Sequence, residues 1–85
     1  MVEEKRTIMI ADRPLDIPKT YVKFYDTYIG TSLEASAVYF LCVEYDADTI
    51  EEAVSGKSDE ELIKTILAWA DMEISAMGVG LADVQ

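Results

Sequence analysis

The chain has 85 residues, enough for one domain with a small core, and its 51% apolar content argues against global disorder. Seventeen acids against seven bases give a net charge of −10, which excludes a phosphate-gripping surface of the usual basic kind. Histidine is absent and Cys42 is the single cysteine, which excludes histidine-based acid–base chemistry, Cys/His and Ser/His nucleophilic pairs, the usual zinc sites and an intramolecular disulfide.

The charge is unevenly spread. Residues 24–85 hold thirteen acids and two bases, whereas residues 1–23 carry a small positive excess. Met1-Val2-Glu3-Glu4-Lys5-Arg6 lacks the apolar run of a signal peptide, and no apolar segment approaches membrane-spanning length. The expectation is one cytoplasmic domain over residues 1–85, bacterial-host cytoplasm included, with residues 1–5 frayed and no membrane association.

In chain order, Arg6 to Ala11 is β-prone and reads as a short strand closed by Asp12-Arg13-Pro14. A lone strand needs a partner, and the glycine-punctuated tail Met77 to Val84 can supply it. Pairing across two chains is the other route, so a homodimer fits this reading. Leu15 to Pro18 leads into Lys19–Ile29, with Asp16 as a cap, Pro18 in the first turn and Gly30 as a stop. Polar Lys19, Lys23, Asp26 and Thr27 recur at helical spacing opposite Tyr21, Val22, Tyr25, Tyr28 and Ile29. The residue types favour a strand there, and periodicity is taken over propensity.

Thr31-Ser32-Leu33-Glu34 reads as a capping box with Thr31 at the N-cap. The helix that follows runs to about Tyr45 and is apolar nearly all round, so it is expected to be the buried central helix. Asp48-Thr49 caps a short helix, Ile50 to Ser55, ended by Gly56. Ser58 caps the last helix with Glu61 at N3, and Asp59, Glu60 and Glu61 sit at its positive end. Leu62, Ile63, Ile66, Leu67, Ala70, Ile74 and Met77 form its apolar stripe, and Gly78 ends it. The fold class is therefore mainly α, with three to four helices and a short N-terminal strand. The alternative is α+β, with residues 6–11, 20–29 and 37–45 as a three-stranded sheet followed by two helices.

The run Thr49-Ile50-Glu51-Glu52-Ala53, followed by Ser58-Asp59-Glu60-Glu61-Leu62-Ile63 and Ala68-Trp69, resembles the second and third helices of winged helix-turn-helix domains. It is most similar to those of bacterial and phage replication-initiation proteins. Tyr21 to Tyr25 and Ala37 to Leu41 resemble their first helices, and the likeness covers about residues 20–84. It implies a wing after the last helix and a third helix in the DNA major groove. The charge departs from that implication. Asp59, Glu60, Glu61, Lys64, Thr65 and Ala68 would face the groove, and residues 72–85 hold no base. Direct nucleic-acid binding is accordingly not expected.

Residues 44–61 contain eight acids and one base, Lys57. Asp46, Asp48, Glu51, Glu52, Asp59, Glu60 and Glu61 are the candidate partner-binding residues. Spaced carboxylates on a rigid scaffold can stand in for phosphates. The expected partner is a basic protein surface, including that of a nucleic-acid-binding protein. Helix-cap acids and a solvated face account for about half of the same residues. A calcium loop beginning at Asp46-x-Asp48 fails, because its sixth position is Glu51 and its twelfth is Lys57. No metal, cofactor or catalytic residue is assigned, and the chain is expected not to be an enzyme.

The size and charge fit a phage-type inhibitor of the anti-CRISPR or anti-restriction class. A host regulatory or adaptor winged-helix subunit fits them equally. Ser32-Leu33 at a helix start resembles the phosphopantetheine attachment point of small acidic carrier proteins, with Thr31 where those have Asp. Cys42, within Val38 to Val43, reads as a buried inert thiol. Most aromatic residues read as core, with Tyr28 or Trp69 as rim anchors for a partner.

Overall fold

A computed structural model describes residues 4–78. Two strands lead, β1 (Lys5–Ile10) and β2 (Arg13–Pro18), followed by α1 (Lys19–Phe24), α2 (Leu33–Glu44), α3 (Ile50–Val54) and α4 (Asp59–Met77). Beyond Phe24, α1 continues as a wider π-helical turn over Tyr25–Ile29, closed by Gly30 at φ 80°. The mainly helical reading holds, and the α+β alternative fails because residues 20–29 and 37–44 are helical.

The strand finds its partner in the next segment. β1 and β2 form an antiparallel hairpin in which Ile8 faces Leu15 and Ile10 faces Arg13. The segment expected to lead into a helix is thus a strand, and Asp16 is no cap: it accepts a cross-strand hydrogen bond from Thr7 at 2.7 Å. Two prolines concealed β2. A two-residue loop makes Ile10–Arg13 a hydrogen-bonded pair, and Lys19 N–H donates to the Glu4 carbonyl at 2.9 Å. Pro14 and Pro18 therefore occupy the intervening positions, whose nitrogens point away from β1, and no ladder bond is lost. Met9 has the same outward geometry on β1, and its N–H donates to the Glu34 carboxylate at 2.8 Å. The pairing expected of residues 79–84 lies outside the described residues, and so does the wing. The strand needs no second chain, so its pairing no longer argues for a homodimer. Lys5 begins β1, and Glu4 also pairs with Lys19 at 2.9 Å. That ammonium holds the Glu4 carboxyl below its ordinary value.

Ala11 and Asp12 form the loop at φ 49° and 64°, the left-handed arrangement of a type I′ turn. No Asn-Gly marks it, so the hairpin left little sequence signal. Asp12 is exposed, and Asp12→Gly removes a strained Cβ. The substitution is expected to raise stability by about 0.5–1 kcal/mol. A thermal scan should show the midpoint rising by about 4 °C; an unchanged or lower midpoint would refute the assignment of strain.

One face of the hairpin carries Ile8, Ile10, Leu15 and Ile17, all buried with Phe24, Tyr25, Leu33, Ala37, Phe40, Leu41 and the inner side of α4. On α4 the buried positions are Leu62, Ile66, Ala70 and Ile74, a helical i, i+4 row. Ser58 caps this helix by accepting from Glu61 N–H at 3.1 Å, and Gly78 ends it at φ 74°, both as the sequence predicts. Thr49 caps α3 by accepting from Glu52 N–H at 3.2 Å.

Two sequence readings change. The N-cap of α2 is Ser32, not Thr31: its Oγ accepts from Ala35 N–H at 3.2 Å, while Glu34 is spent on Met9. Helix α2 is also not buried on all sides. Leu33, Ala37, Phe40 and Leu41 face the core, but Val38, Tyr39 and Val43 are exposed. In the π-helical turn, Tyr28 is exposed and Ile29 packs against the core. The wider turn rotates position 28 off the buried face that a regular helix would share between positions 25, 28 and 29.

Candidate acidic docking surface

The candidate acids occupy the α2–α3 connection, the first turn of α3 and the first turn of α4, and all seven are exposed. Two anchors bring these segments together. The Tyr45 hydroxyl donates to Glu61 at 3.0 Å and shares a 2.9 Å bond with Thr65, tying the end of α2 to the first half of α4. Arg13 reaches from β2 to the α3–α4 turn. Its Nη1 donates to the carbonyls of Lys57 at 2.7 Å and Val54 at 3.2 Å, and its Nε donates to Asp59 at 3.1 Å. Nη2 also bonds Asp59.

The fold explains some of these acids and not others. Asp59 is paired with Arg13, Glu61 accepts from Tyr45, and Glu52 accepts weakly from Asp48 N–H at 3.4 Å. Asp46, Asp48, Glu51 and Glu60 have no side-chain hydrogen bond or ion-pair partner among the described residues. Asp46 goes further. It sits at φ 51°, with its N–H on the Val43 carbonyl at 3.3 Å and the Ala47 N–H on the Cys42 carbonyl at 2.9 Å. This is the left-handed position of a Schellman cap, where glycine is the favoured residue. An acid there adds exposed charge at a conformational disadvantage.

Among the described residues there are two ion pairs, Arg13–Asp59 and Lys19–Glu4. Lys57, the one base within residues 44–61, lies 4.1 Å from the centroid of the Tyr45 ring, a cation–π contact. Elsewhere, acids are held by neutral donors. Tyr21 donates to Asp71 at 2.6 Å, Tyr25 to Glu73 at 2.6 Å, and the Trp69 indole to Glu44 at 2.9 Å. A neutral donor orients a carboxylate and leaves its charge uncompensated. This pattern was not legible in the sequence, because each donor lies 25 or more residues from its acceptor.

Burial pushes the Tyr25 phenol up from its ordinary value near 10, and the bond to Glu73 pushes the same way. Tyr45 is also raised, first by burial and then by Glu61, against an opposing bond with Thr65. Above about pH 10 the unfolded chain releases a Tyr25 proton that the folded chain keeps. That contribution to stability is intact below pH 10 and is lost as the pH rises beyond it. In urea titrations from pH 8 to pH 11, Tyr25→Phe should therefore lose stability less steeply than the parent chain. Parallel curves would contradict this.

Of the two aromatics expected at a rim, Tyr28 is exposed, and half-buried Trp69 stacks on Phe40 with centroids 5.4 Å apart. Ser32 is accounted for as an N-cap. Cys42 is half-buried rather than fully enclosed. Among the described residues no cluster of metal-ligating side chains is present, and no helix is long and apolar enough to cross a membrane.

Comparison of the chain with protein-family models, curated proteins and solved structures gave no match. The fold itself is a small helical domain with an N-terminal two-stranded hairpin. In a winged helix the wing follows the third helix, whereas this hairpin precedes all four described helices.

Proposed function

We propose that this protein is a non-enzymatic, acidic binding module that docks on a basic surface of a partner protein. One observation carries the reading: of the eight acids between Glu44 and Glu61, Asp59 alone is paired with a base among the described residues. Unpaired carboxylates on capped helices attract basic protein surfaces and repel phosphate backbones. A partner that normally grips nucleic acid matches this chemistry, which makes a nucleic-acid mimic of the anti-CRISPR or anti-restriction class the narrower form of the proposal. A winged-helix adaptor subunit would use the same surface.

The test is retention of a partner from a bacterial lysate on the immobilised chain, eluted with a salt gradient. The expected partner elutes with salt and is displaced by duplex DNA, while the chain itself binds no duplex at low salt. Reversing Glu51, Glu52, Glu60 and Glu61 to Lys should weaken retention roughly tenfold or more. A partner released only by denaturant and indifferent to the reversal would overturn the proposal.

A further inference from the structure

The outer face of α2 is apolar without being core. Ala35, Val38, Tyr39, Cys42 and Val43 recur at helical spacing opposite Leu33, Ala37, Phe40 and Leu41. Tyr39 is 62% exposed and Val43 47%. Aromatic contacts link this face to α4: the buried Phe40 ring lies 6.4 Å from Tyr39 and 5.4 Å from Trp69. One turn beyond Trp69 on α4 is Met72, 68% exposed. This outer stripe holds no charge, and its ends are acidic: Glu34 at the start of α2, Glu44 and Asp46 at its close. Between Leu33 and Met77 the only bases are Lys57, which lies over Tyr45, and Lys64.

We infer that this face seats an amphipathic basic helix of a partner protein. Apolar residues of that helix cover Tyr39, Val43, Trp69 and Met72, and its Lys or Arg residues meet Glu34, Glu44 and Asp46. The stripe has the i, i+3, i+4, i+7 spacing that one helix presents to another. The acidic frame selects the sign of the partner, and the chain's charge of −10 disfavours a second copy. This inference rests on the acidic-docking reading and adds an apolar seat to it.

The test uses the full chain and Trp69, its only tryptophan, as a fluorescence reporter. The probes are a Leu/Lys peptide with helical spacing, the same composition scrambled, and oligolysine. The patterned peptide should bind roughly tenfold more tightly than either control in 0.15 M salt and should shift Trp69 emission. The variants Tyr39→Asp and Val43→Asp decide between the mechanisms, because each adds negative charge to an exposed position. Docking by charge alone would strengthen, whereas an apolar seat weakens by roughly tenfold or more. Circular dichroism confirms that the variants remain folded.

If all three peptides bind alike and Tyr39→Asp tightens them, the seat is overturned and acidic docking stands. Absence of binding to any peptide overturns both. Sedimentation that shows a dimer abolished by Tyr39→Asp gives the face to a second copy and overturns the inference.

Discussion

Phe40→Ala is expected to lower the unfolding free energy by about 4 kcal/mol. Phe40 is 5% exposed and lies at the centre of an aromatic cluster. Its ring meets Tyr25 edge-on at 6.5 Å and Tyr39 at 6.4 Å, and stacks on Trp69 at 5.4 Å with 21° between planes. Removing the ring loses its transfer free energy, opens a cavity and breaks the α2–α4 stack. Individual aromatic pairs add about 0.5–1.5 kcal/mol beyond burial. A domain of this size has a total stability on the order of 5–10 kcal/mol, so the variant should keep only about 1–6 kcal/mol of it. Phe40→Leu preserves most of the volume and should lose about 1–1.5 kcal/mol. Urea titration followed by Trp69 emission measures both, and the alanine variant should also show red-shifted native emission. A loss below about 1 kcal/mol for alanine would show that the cluster does not hold α2 to α4.

Arg13→Ala should cost about 2–3 kcal/mol, a large effect for a residue that is not in the core. Its guanidinium binds the carbonyls of Val54 and Lys57 and the carboxylate of Asp59. No other side chain in β2 reaches the α3–α4 turn by a hydrogen bond among the described residues. The Arg13 side chain is 30% exposed and that of Asp59 60%, so solvent screens the ion pair itself. Most of the loss comes from the Lys57 carbonyl, which loses its donor, and from the freed turn; the Val54 carbonyl still accepts from Lys57 N–H at 3.2 Å. Arg13→Lys should recover less than half, because an ammonium cannot bridge three acceptors in the planar fork geometry. Asp59→Ala should cost less than Arg13→Ala, since the two carbonyl bonds survive. The corresponding double-mutant cycle should give a coupling of about 1 kcal/mol. Equal losses for Arg13→Ala and Asp59→Ala would place the energy in the ion pair and contradict this account.

The two variants also bear on docking. Arg13→Ala leaves Asp59 unpaired at the acidic end and makes that end more negative. A folded Arg13→Ala chain should therefore hold a basic partner at least as tightly as the parent, whereas the Lys reversals release it.

Much of the helical framework was legible in the sequence. Ser58 with Glu61, Thr49 with Glu52, and the stops at Gly30, Gly56 and Gly78 are local signals. Each depends on hydrogen bonds within four residues or on a backbone conformation that glycine adopts freely. The i, i+4 row on α4 is equally local, and so is the excess of acid between Glu44 and Glu61. Lys19–Ile29 is helical against its β-prone composition, because periodicity reports which face is buried and propensity does not.

The tertiary structure decided the rest, for physical reasons. The hairpin partner was hidden because β2 carries Pro14 and Pro18, and only the register shows that both nitrogens point off the ladder. The turn was hidden because Ala11 and Asp12 take left-handed conformations without glycine. Glu34 has the spacing of a capping-box acid, and becomes a long-range acceptor for Met9 once the hairpin lies beside α2. An all-round apolar helix has no periodic signal to say which side is covered; only packing shows that Leu33, Ala37, Phe40 and Leu41 face inward and that Tyr39 and Val43 do not. Composition by itself determined that the acidic end must carry net negative charge. Which carboxylates remain unpaired was decided by Arg13, the sole base that the fold pairs with one of them in that cluster among the described residues.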